Sequence, residues 1–325
     1  MSVPALDVKL LILMPVYNDW RSLSLLLPGL ENELHSAGLR ARLLLVDDGS
    51  TEKVPASLSH LSLRSIERID VLPLRRNLGH QRAIAVGLSY IEANDPTRNV
   101  IIMDADGEDS ATDVPRLVRE CLAHNGEKII FAARARRSEG LTFACFYHLY
   151  RFVHWLLTGI PVRVGNFSIV PSSALRRLVA VSELWNHYAA AVHKAKLPMS
   201  LLSTERRPRL DGTPQMDMIS LVAHGLSAMA VFGDRIGVRL LILVSLGMLL
   251  ALSGIAAVAV IRFATDLAIP GWATFASGLL LVFMAQMLLV VLGFIFVILA
   301  ARNTLNVIPS RDYAHFIDGA QRIHG

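Results

Sequence analysis

The sequence has little cysteine, little lysine and no dense basic patch. Only Cys121 and Cys145 occur among 325 residues, which excludes a disulfide framework and fits a reducing compartment. Arginine supplies most of the positive charge behind the net charge of +5. No basic run with interleaved aromatic residues occurs, so nucleic acid is the weakest candidate partner, behind anionic lipid and phosphorylated substrates.

Charge is nearly absent from two long stretches near the C-terminus. Residues 236–261 contain one charged residue, Arg239, and residues 275–301 contain none. Each stretch is long enough to cross about 30 Å of hydrocarbon. A pair of buried core helices is the alternative, but the scarcity of polar residues favours membrane spans. The short connection holds Pro270 and Gly271, and it predicts a helical hairpin.

The basic residues that flank this hairpin predict its orientation. Arg235 and Arg239 lie at the start of the first stretch, and Arg302 and Arg311 follow the second. The connection has one basic residue, which an acidic one offsets. The positive-inside rule therefore places both termini and the preceding domain in the cytoplasm. The N-terminus lacks a basic segment and a cleavage site, so its short apolar run predicts a first strand rather than a signal peptide.

The segment before the first span has an apolar stripe at helical spacing. The stripe consists of Met218, Val222, Leu226, Met229 and Phe232. It predicts an amphipathic juxtamembrane segment over residues 213–234. This helix could pack against the preceding domain or lie in the membrane interface, and both interpretations stay open.

Short apolar runs alternate with helical patterns in the N-terminal part of the chain. Predicted strands lie at 9–15, 42–46, 69–74, 100–103 and 128–132, and predicted helices at 23–34, 80–92 and 115–124. This alternation predicts an α/β fold with a mostly parallel sheet and helices on both faces. Polar motifs follow the strands, at the edge where open α/β sheets bind ligands.

One such motif is a cluster of carboxylates. Asp104 and Asp106 directly follow an apolar strand, and Glu108 lies two residues further on. Such carboxylates converge poorly without a cation, and hard oxygen ligands suit Mg²⁺ or Mn²⁺. A D-x-D pair occurs often by chance, and its place after a strand is what makes it informative. Asp113, before Pro115, predicts a helix cap.

A second acidic motif is the sequence Asp47-Asp48-Gly49-Ser50 after the preceding strand. Asp-Gly-Ser is typical of a turn. The functional alternative is a carboxylate that accepts hydrogen bonds from a nucleobase or a ribose. The residues alone leave these two interpretations even.

The order of the motifs is more specific than any one of them. PVYND at 15–19, VDDGS at 46–50, RRNLGHQRAIAVGL at 75–88 and MDADGED at 103–109 resemble the family 2 glycosyltransferases, which have a GT-A fold. With the two C-terminal spans, the chain looks most like the polyprenyl-phosphate sugar synthases, such as dolichol-phosphate mannose synthases and bactoprenol-phosphate glucosyltransferases. The resemblance implies a GT-A, Rossmann-like domain over residues 1–212, a juxtamembrane segment over 213–234, a transmembrane hairpin over 235–303 and a cytoplasmic tail over 304–325.

The resemblance also implies roles for individual positions. It assigns a metal site for Mg²⁺ or Mn²⁺ to Asp104, Asp106 and Glu108, where the family commonly has Gln at the last position. It assigns catalytic roles to Asp104, Asp106, Arg134 and Asn166. The positions implied to bind the nucleotide-sugar are Pro15, Tyr17, Asp19, Asp47, Asp48, Gly79, His80, Asp104, Ala105, Asp106, Arg134 and Arg209.

The sequence departs from the family pattern at several of these positions. Asn166 stands where many bactoprenol enzymes have an aspartate sometimes proposed as a base, and an amide cannot abstract a proton. Asn166 could orient the acceptor or mark a different acceptor. His80 stands where relatives have lysine, and it could contact phosphate or only begin a helix. Pro214 and Gln215 replace the hydroxyl residue and the lysine of a loop thought to close over the donor.

The expected function is that of a membrane-anchored, inverting glycosyltransferase. It would move a sugar from a UDP- or GDP-linked donor to a polyprenyl phosphate, such as undecaprenyl phosphate, at the bilayer surface. The alternatives are a different membrane acceptor, or a non-catalytic nucleotide-sugar-binding subunit of a larger complex. A homo-oligomer and a bacterial inner membrane are expected, and nucleic acid is not an expected partner.

Overall fold

A computed structural model describes residues 8–134, 152–159, 165–205, 207–211, 225–267, 269–302 and 307–325. The described elements divide into two compact units. One contains the sheet and the helices that cover it. The other contains the two long apolar helices and one short helix. The boundaries of the four predicted segments stay predictions.

The apolar runs of the N-terminal part form strands of one eight-stranded sheet. The strands are β1 (Leu10–Val16), β2 (Ala41–Asp47), β3 (Ile66–Pro73), β4 (Asn99–Ile102), β5 (Ile129–Arg134), β6 (Ser168–Val170), β7 (Met199–Thr204) and β8 (Gln321–His324). Their order across the sheet is β7-β5-β6-β4-β1-β2-β3-β8. Only β6 and β8 run antiparallel to their neighbours, so the predicted α/β class with a mostly parallel sheet is confirmed.

Helices connect these strands and continue beyond them. They are α1 (Trp20–Ser36), α2 (His80–Asn94), α3 (Val114–Ala123), α4 (152–158), α5 (Ser172–Val179), α6 (Tyr188–Lys194), α7 (225–230), α8 (Gly233–Ala264), α9 (Trp272–Arg302) and α10 (Pro309–Asp312). The predicted helices over 23–34, 80–92 and 115–124 correspond to α1, α2 and α3.

Both faces of the sheet are buried, which explains why its strands are continuously apolar. In β1, Leu10, Ile12 and Met14 belong to the hydrophobic cluster shared with α1 and α3. Leu11 and Leu13 point to the opposite cluster, which includes α2, α5 and α6. Successive side chains of a strand alternate between the faces, so a layer of helices on each side requires apolar residues at every position.

One local prediction about capping is wrong. Asp113 occupies the N-cap position of α3, but its side chain makes no capping hydrogen bond. Its carboxylate pairs instead with the Arg116 guanidinium one turn later. The reason is that the residue already has a helical backbone conformation, whereas an effective cap has an extended one.

A buried carboxylate ties α1 to the start of β3. Glu31 accepts hydrogen bonds from the backbone N–H groups of Arg64, Ser65 and Ile66 at 2.8, 2.8 and 2.9 Å. Burial by itself would raise the pKa of Glu31, but the three donors outweigh it and the pKa is lowered. The ionised side chain is therefore part of the fold.

We expect Glu31→Ala to destabilise the first unit, because three N–H groups, two of them buried, lose their acceptor. The expected cost is about 3 kcal/mol, which corresponds to a melting temperature lower by about 6–12 °C. Thermal unfolding followed by circular dichroism measures this, with Glu33→Ala in the same helix as the control. Because the pKa is lowered, the contribution of Glu31 is lost as the pH falls through it. Equal melting temperatures for Glu31→Ala and Glu33→Ala near neutral pH would contradict the assignment.

The C-terminal residues, predicted only as a tail, complete the sheet of the first unit. β8 pairs with β3, and Arg75 N–H donates to Phe316 O at 3.0 Å. The Arg75 guanidinium pairs with Asp318 at 3.0 Å, and the Phe316 ring lies 4.8 Å from that of Trp185. This segment closes the exposed edge of β3, which would otherwise present unpaired backbone groups.

The second unit contains two helices that are long and apolar enough to span a membrane. At 32 and 31 residues, α8 and α9 are about 48 and 46 Å long. Three glycines of α8 lie against side chains of α9: Gly237 against Ile298, Gly247 against Met287 and Gly254 against Leu280. The pairing is antiparallel, as the predicted hairpin requires, and small residues allow the close approach.

The short helix α4 in the second unit is tied to α8 by an arginine. Arg239 donates to the carbonyl oxygens of Trp155 and Leu156 at 3.2 and 2.6 Å. Leu156 lies near the end of α4, where carbonyls lack partners within the helix, whereas Trp155 O also accepts from Gly159 N–H at 2.7 Å. Of the predicted amphipathic stripe, Met229 and Phe232 are buried and Leu226 is exposed. Its first two members, Met218 and Val222, lie outside the described residues.

Candidate active site

The site is built where parallel strands of the sheet end side by side. β1, β2 and β4 are hydrogen-bonded neighbours, so the loops that follow them meet at one edge. The Asp48 N–H donates to Val16 O at 2.8 Å and the Met103 N–H to Leu13 O at 3.1 Å. The predicted motifs after these strands are thus brought together by strand pairing.

Asp48 is a structural anchor of the loop between β3 and α2. Its buried carboxylate accepts hydrogen bonds from Leu78 N–H at 2.6 Å and Gly79 N–H at 2.9 Å. Burial raises the pKa of Asp48, although the two donors oppose the rise. Gly49 has a φ of +72°, and a side chain there would meet Asn77 N at 2.7 Å. These contacts hold the loop after β2 against the loop between β3 and α2.

The Asp47 carboxylate shapes its own turn, and Asn18 links this turn to the loop after β1. Asp47 accepts from Ser50 N–H at 2.9 Å, as in the turn that its sequence predicts. Asn18 has a φ of 56° and accepts from the N–H groups of Thr51 and Glu52 at 2.9 and 3.2 Å. The sequence analysis missed Asn18, although a residue in this conformation is often Asn.

The acidic loop after β4 folds back on itself. Asp104 N–H donates to the buried carboxylate of Asp109 at 3.1 Å, and Glu108 N–H donates to Asp106 Oδ1 at 3.0 Å. Gly107 allows the turn with a φ of +83°, and a side chain there would overlap Leu210. Asp109, the last residue of the MDADGED motif, to which the sequence analysis gave no role, thus holds the loop that carries the three predicted metal ligands.

Residues 207–211 form a strap across this acidic loop. Leu210 N–H donates to Asp106 O, and Arg207 N–H donates to Glu108 O, both at 3.0 Å. The guanidinium of Arg209 pairs with the carboxylate of Asp19 and lies 3.4 Å from Asp106 Oδ2. Arg209 therefore joins two predicted nucleotide-binding carboxylates that are distant in sequence.

The carboxylates of the site repel one another, and the surrounding cations offset part of this. Burial raises the pKa of Asp106 to about 6, and the nearby Asp104 adds to the rise. His80 Nε2 lies 3.2 Å from Asp104 Oδ1. Desolvation lowers the pKa of His80, but Asp104, Asp106 and Asp109 more than offset it and the pKa is raised. The acidic loop therefore favours a cation or a cationic side chain beside it.

The oxygen ligands of the site suit a hard divalent cation by their chemistry. Asp104 and Asp106 supply carboxylate oxygens, and a cation would relieve the repulsion that raises the pKa of Asp106. Within the described ranges, no three His, Cys, Asp or Glu side chains gather closely enough to hold a metal ion. The oxygens of Asp106 face Glu108 N–H and Arg209 instead. The ligand role of Glu108 stays a prediction.

Asn166 lies next to this acidic loop, in a network of side-chain amides. Its Nδ2 lies 2.9 Å from His80 Nε2, and its Oδ1 accepts from Gln81 Nε2 at 3.0 Å. Gln81 Oε1 accepts from Tyr188 N–H at 2.8 Å. The structure thus brings Asn166 and His80 together as predicted site residues, and it adds the buried Gln81, which the sequence analysis missed.

The remaining predicted positions are placed as follows. Pro15 is buried within β1, and Ala105 is buried in the hydrophobic cluster of α1 and α3, so Ala105 can offer a ligand only backbone atoms. Tyr17 is exposed in the loop after β1. Arg134 ends β5, but its side chain lies outside the described residues. Residues 136, 137, 212, 214 and 215 also lie outside them.

Arg209→Gln is expected to strengthen Mn²⁺ binding about fivefold in the absence of nucleotide. It removes a competing cation from Asp106, and a partly buried ion pair is worth about 1 kcal/mol. Electron paramagnetic resonance of free Mn²⁺ during titration measures the affinity. Arg207→Gln, in the same strap but exposed, is the control. Unchanged affinity in Arg209→Gln would show that Arg209 does not compete with the metal.

Comparison with known proteins identifies a family and relatives of this chain. A model of the family described as Glycosyl transferase family 2 matches residues 11–179. The undecaprenyl-phosphate 4-deoxy-4-formamido-L-arabinose transferase of Edwardsiella ictaluri is 32% identical over 128 residues, 39% of this chain and 38% of that protein. The chain thus spans about two fifths of that relative. The uncharacterized glycosyltransferase YkcC of Bacillus subtilis is 24% identical over 237 residues, 69% of this chain and 68% of YkcC.

Among solved structures, the chain is similar to glucosyl-3-phosphoglycerate synthase from Mycobacterium tuberculosis, crystallised with Mn²⁺, UDP-glucose and phosphoglyceric acid. The TM-score is 0.50 at 15% identity, and the match covers 71% of this chain and 80% of the other. At this identity the likeness concerns the fold alone. It agrees with the GT-A fold that the motifs predict.

Proposed function

The chain belongs to glycosyl transferase family 2, and on this premise we propose that it transfers a sugar from a nucleotide-sugar to a polyprenyl phosphate. The donor is UDP- or GDP-linked, and the acceptor is a lipid such as undecaprenyl phosphate. The proposal is supported most by one observation: loops from three neighbouring strands, the strap and Asn166 meet at one sheet edge. The Edwardsiella relative, whose name specifies undecaprenyl phosphate, is 32% identical to this chain over 128 residues.

The nucleoside part of the donor binds between the loops after β1 and β2. Asp19 and Asp47 supply carboxylates at the ends of adjacent strands, and such groups accept hydrogen bonds from a base and a ribose. Asp48, whose buried carboxylate is held by Leu78 and Gly79, contributes by fixing the loop beside them. Tyr17 is exposed beside them and can stack on the base. Gly79 and His80, at the start of α2, lie on the side of the acidic loop.

The diphosphate binds at the acidic loop, with Mg²⁺ or Mn²⁺. Asp104 and Asp106 would hold the ion, with Glu108 as a further oxygen ligand, and the mycobacterial structural neighbour was crystallised with Mn²⁺ and UDP-glucose. When bound, the ion neutralises charge that develops on the leaving diphosphate. Arg134 and Arg209 add positive charge to the same group.

The transfer step needs no general base from the protein. An oxygen of the lipid phosphate attacks the anomeric carbon as the bond from this carbon to the diphosphate oxygen breaks. The nucleoside diphosphate leaves, and the anomeric configuration inverts. A phosphate monoester has a second pKa of about 6, so the attacking oxygen is already ionised near neutral pH. Asn166 cannot serve as a base, because its amide cannot accept a proton. Its proposed role is to orient this phosphate.

The two long apolar helices anchor the enzyme in the membrane where its acceptor resides. Their apolar side chains are exposed, for example Leu250, Phe263 and Phe296 at 75, 88 and 76%. Surfaces of this kind are covered by lipid rather than water. The arginines that flank the hairpin support a cytoplasmic catalytic domain and cytoplasmic termini. A bacterial inner membrane and a homo-oligomer are part of the proposal.

Transfer of radiolabelled sugar to undecaprenyl phosphate tests the proposal. Purified protein in detergent is given a panel of nucleotide-sugars, with Mn²⁺ or Mg²⁺ or with chelator. We expect labelled lipid from one donor, only with metal, and a loss of at least about a hundredfold in Asp106→Asn. Asp318→Asn, far from the acidic loop in sequence and exposed, is the control. Nucleotide binding without lipid product from any donor would overturn the proposal.

A further inference from the structure

A row of hydrogen bonds through the side-chain amides of Gln81 and Asn166 links α6 to the acidic loop, and the direction of donation along this row is fixed. It starts at Tyr188, the first residue of α6, whose N–H has no acceptor within the helix. This N–H can only donate, so the Gln81 atom 2.8 Å away must be its carbonyl oxygen. The NH₂ group of Gln81 must then face Asn166.

The same logic fixes the orientation of Asn166. Because Gln81 presents its NH₂ group, Asn166 must present its carbonyl oxygen in return, at 3.0 Å. The NH₂ group of Asn166 is therefore turned the other way, to within 2.9 Å of the His80 ring, which lies beside Asp104. The backbone of Asn166 is also held, since its carbonyl accepts from Ser168 Oγ at 2.8 Å.

We propose that Gln81 is a positioning residue that makes Asn166 a hydrogen-bond donor to a substrate phosphate oxygen. Gln81 is 8% exposed and is enclosed between Asn166 and α6. Asn166 is half-buried, and its NH₂ group lies on the His80 side of the site. An amide that points its NH₂ group outward attracts an oxyanion, whereas one that points its carbonyl outward repels it. This inference rests on the proposed function.

The ligand is a phosphate oxygen, and two sources supply that chemistry at this site. One is the monophosphate of the lipid acceptor, and the other is the diphosphate of the donor. Kinetics distinguish them, because the KM of only one substrate depends on the orientation of Asn166.

Gln81→Glu reverses the direction of the hydrogen bond to Asn166 without changing residue 166 itself. One oxygen of the substituted carboxylate still accepts from Tyr188 N–H, and the other faces Asn166. Asn166 must then rotate its amide to donate to this oxygen, and its carbonyl turns towards the site. We expect the KM of one phosphate substrate to rise about tenfold to a hundredfold, the usual worth of a hydrogen bond to a charged group, with kcat much less affected.

A double-mutant cycle separates orientation from added charge. Gln81→Glu is compared in the native background and in an Asn166→Ala background, where no amide remains to be reversed. If orientation matters, Gln81→Glu raises the KM only in the native background. An equal rise in both backgrounds, or no rise in the native one, would overturn the inference. Melting temperature and Mn²⁺ affinity confirm that each variant is folded.

Binding measurements keep this test independent of turnover. Isothermal titration of a short-chain prenyl phosphate and of UDP and GDP, with Mn²⁺ present, is run on the native protein and on Gln81→Glu. Native protein that transfers sugar, with unchanged kinetics in Gln81→Glu, overturns the inference and leaves the proposed function standing. Native protein that transfers nothing, but binds one of these ligands more tightly than Gln81→Glu does, supports the inference and overturns the function. If neither ligand binds and no transfer occurs, both fall.

Discussion

Repulsion among carboxylates at one edge of a parallel sheet is the constraint around which the site is organised. Strand pairing places Asp104 and Asp106 beside the loops that carry Asp19 and Asp48. Each group loses hydration by being packed there, and burial accordingly raises the pKa of Asp106 to about 6. The protein tolerates this because basic side chains approach from outside the sheet. Arg209 comes from the strap, and His80 comes from the start of α2.

The guanidinium of Arg209 in the strap therefore has two possible anionic partners, the carboxylates of the site or an anionic ligand. In the structure described, Arg209 bridges Asp19 and Asp106, which are groups that the proposed function assigns to the nucleotide and the metal. Under the proposed function, donor binding would separate the guanidinium from at least one of these carboxylates and offer it the diphosphate instead. The site would then exchange one set of ion pairs for another, without exposing uncompensated charge.

Backbone N–H groups determine which atoms of the side chains around this cluster act as hydrogen-bond donors and which act as acceptors. The N–H groups of Leu78 and Gly79 hold Asp48, and the N–H of Tyr188 determines which way Gln81 and Asn166 face. A backbone N–H can only donate, so each of these contacts has one allowed direction. The C-terminal segment supports the same region from outside, since Arg75 and Phe316 join it to the loop before α2 and to Trp185.

The sequence by itself determined the class of the fold, because apolar runs such as 42–46 and 100–103 report strands buried on both faces, whatever their partners. It also determined the two long helices, the hairpin between them and the strand-end positions of Asp48, Asp104 and Asp106. Only the tertiary structure decided what those residues contact. Gln81 looks like any polar residue near a helix start, and Asp109 like any loop carboxylate, until their partners 107 and 5 residues away are known. The terminal strand β8 has no apolar run to mark it, since it forms only by adding to the edge of β3. Local pattern records burial and periodicity, whereas hydrogen-bond direction and charge pairing arise from contacts between segments that the chain brings together on folding.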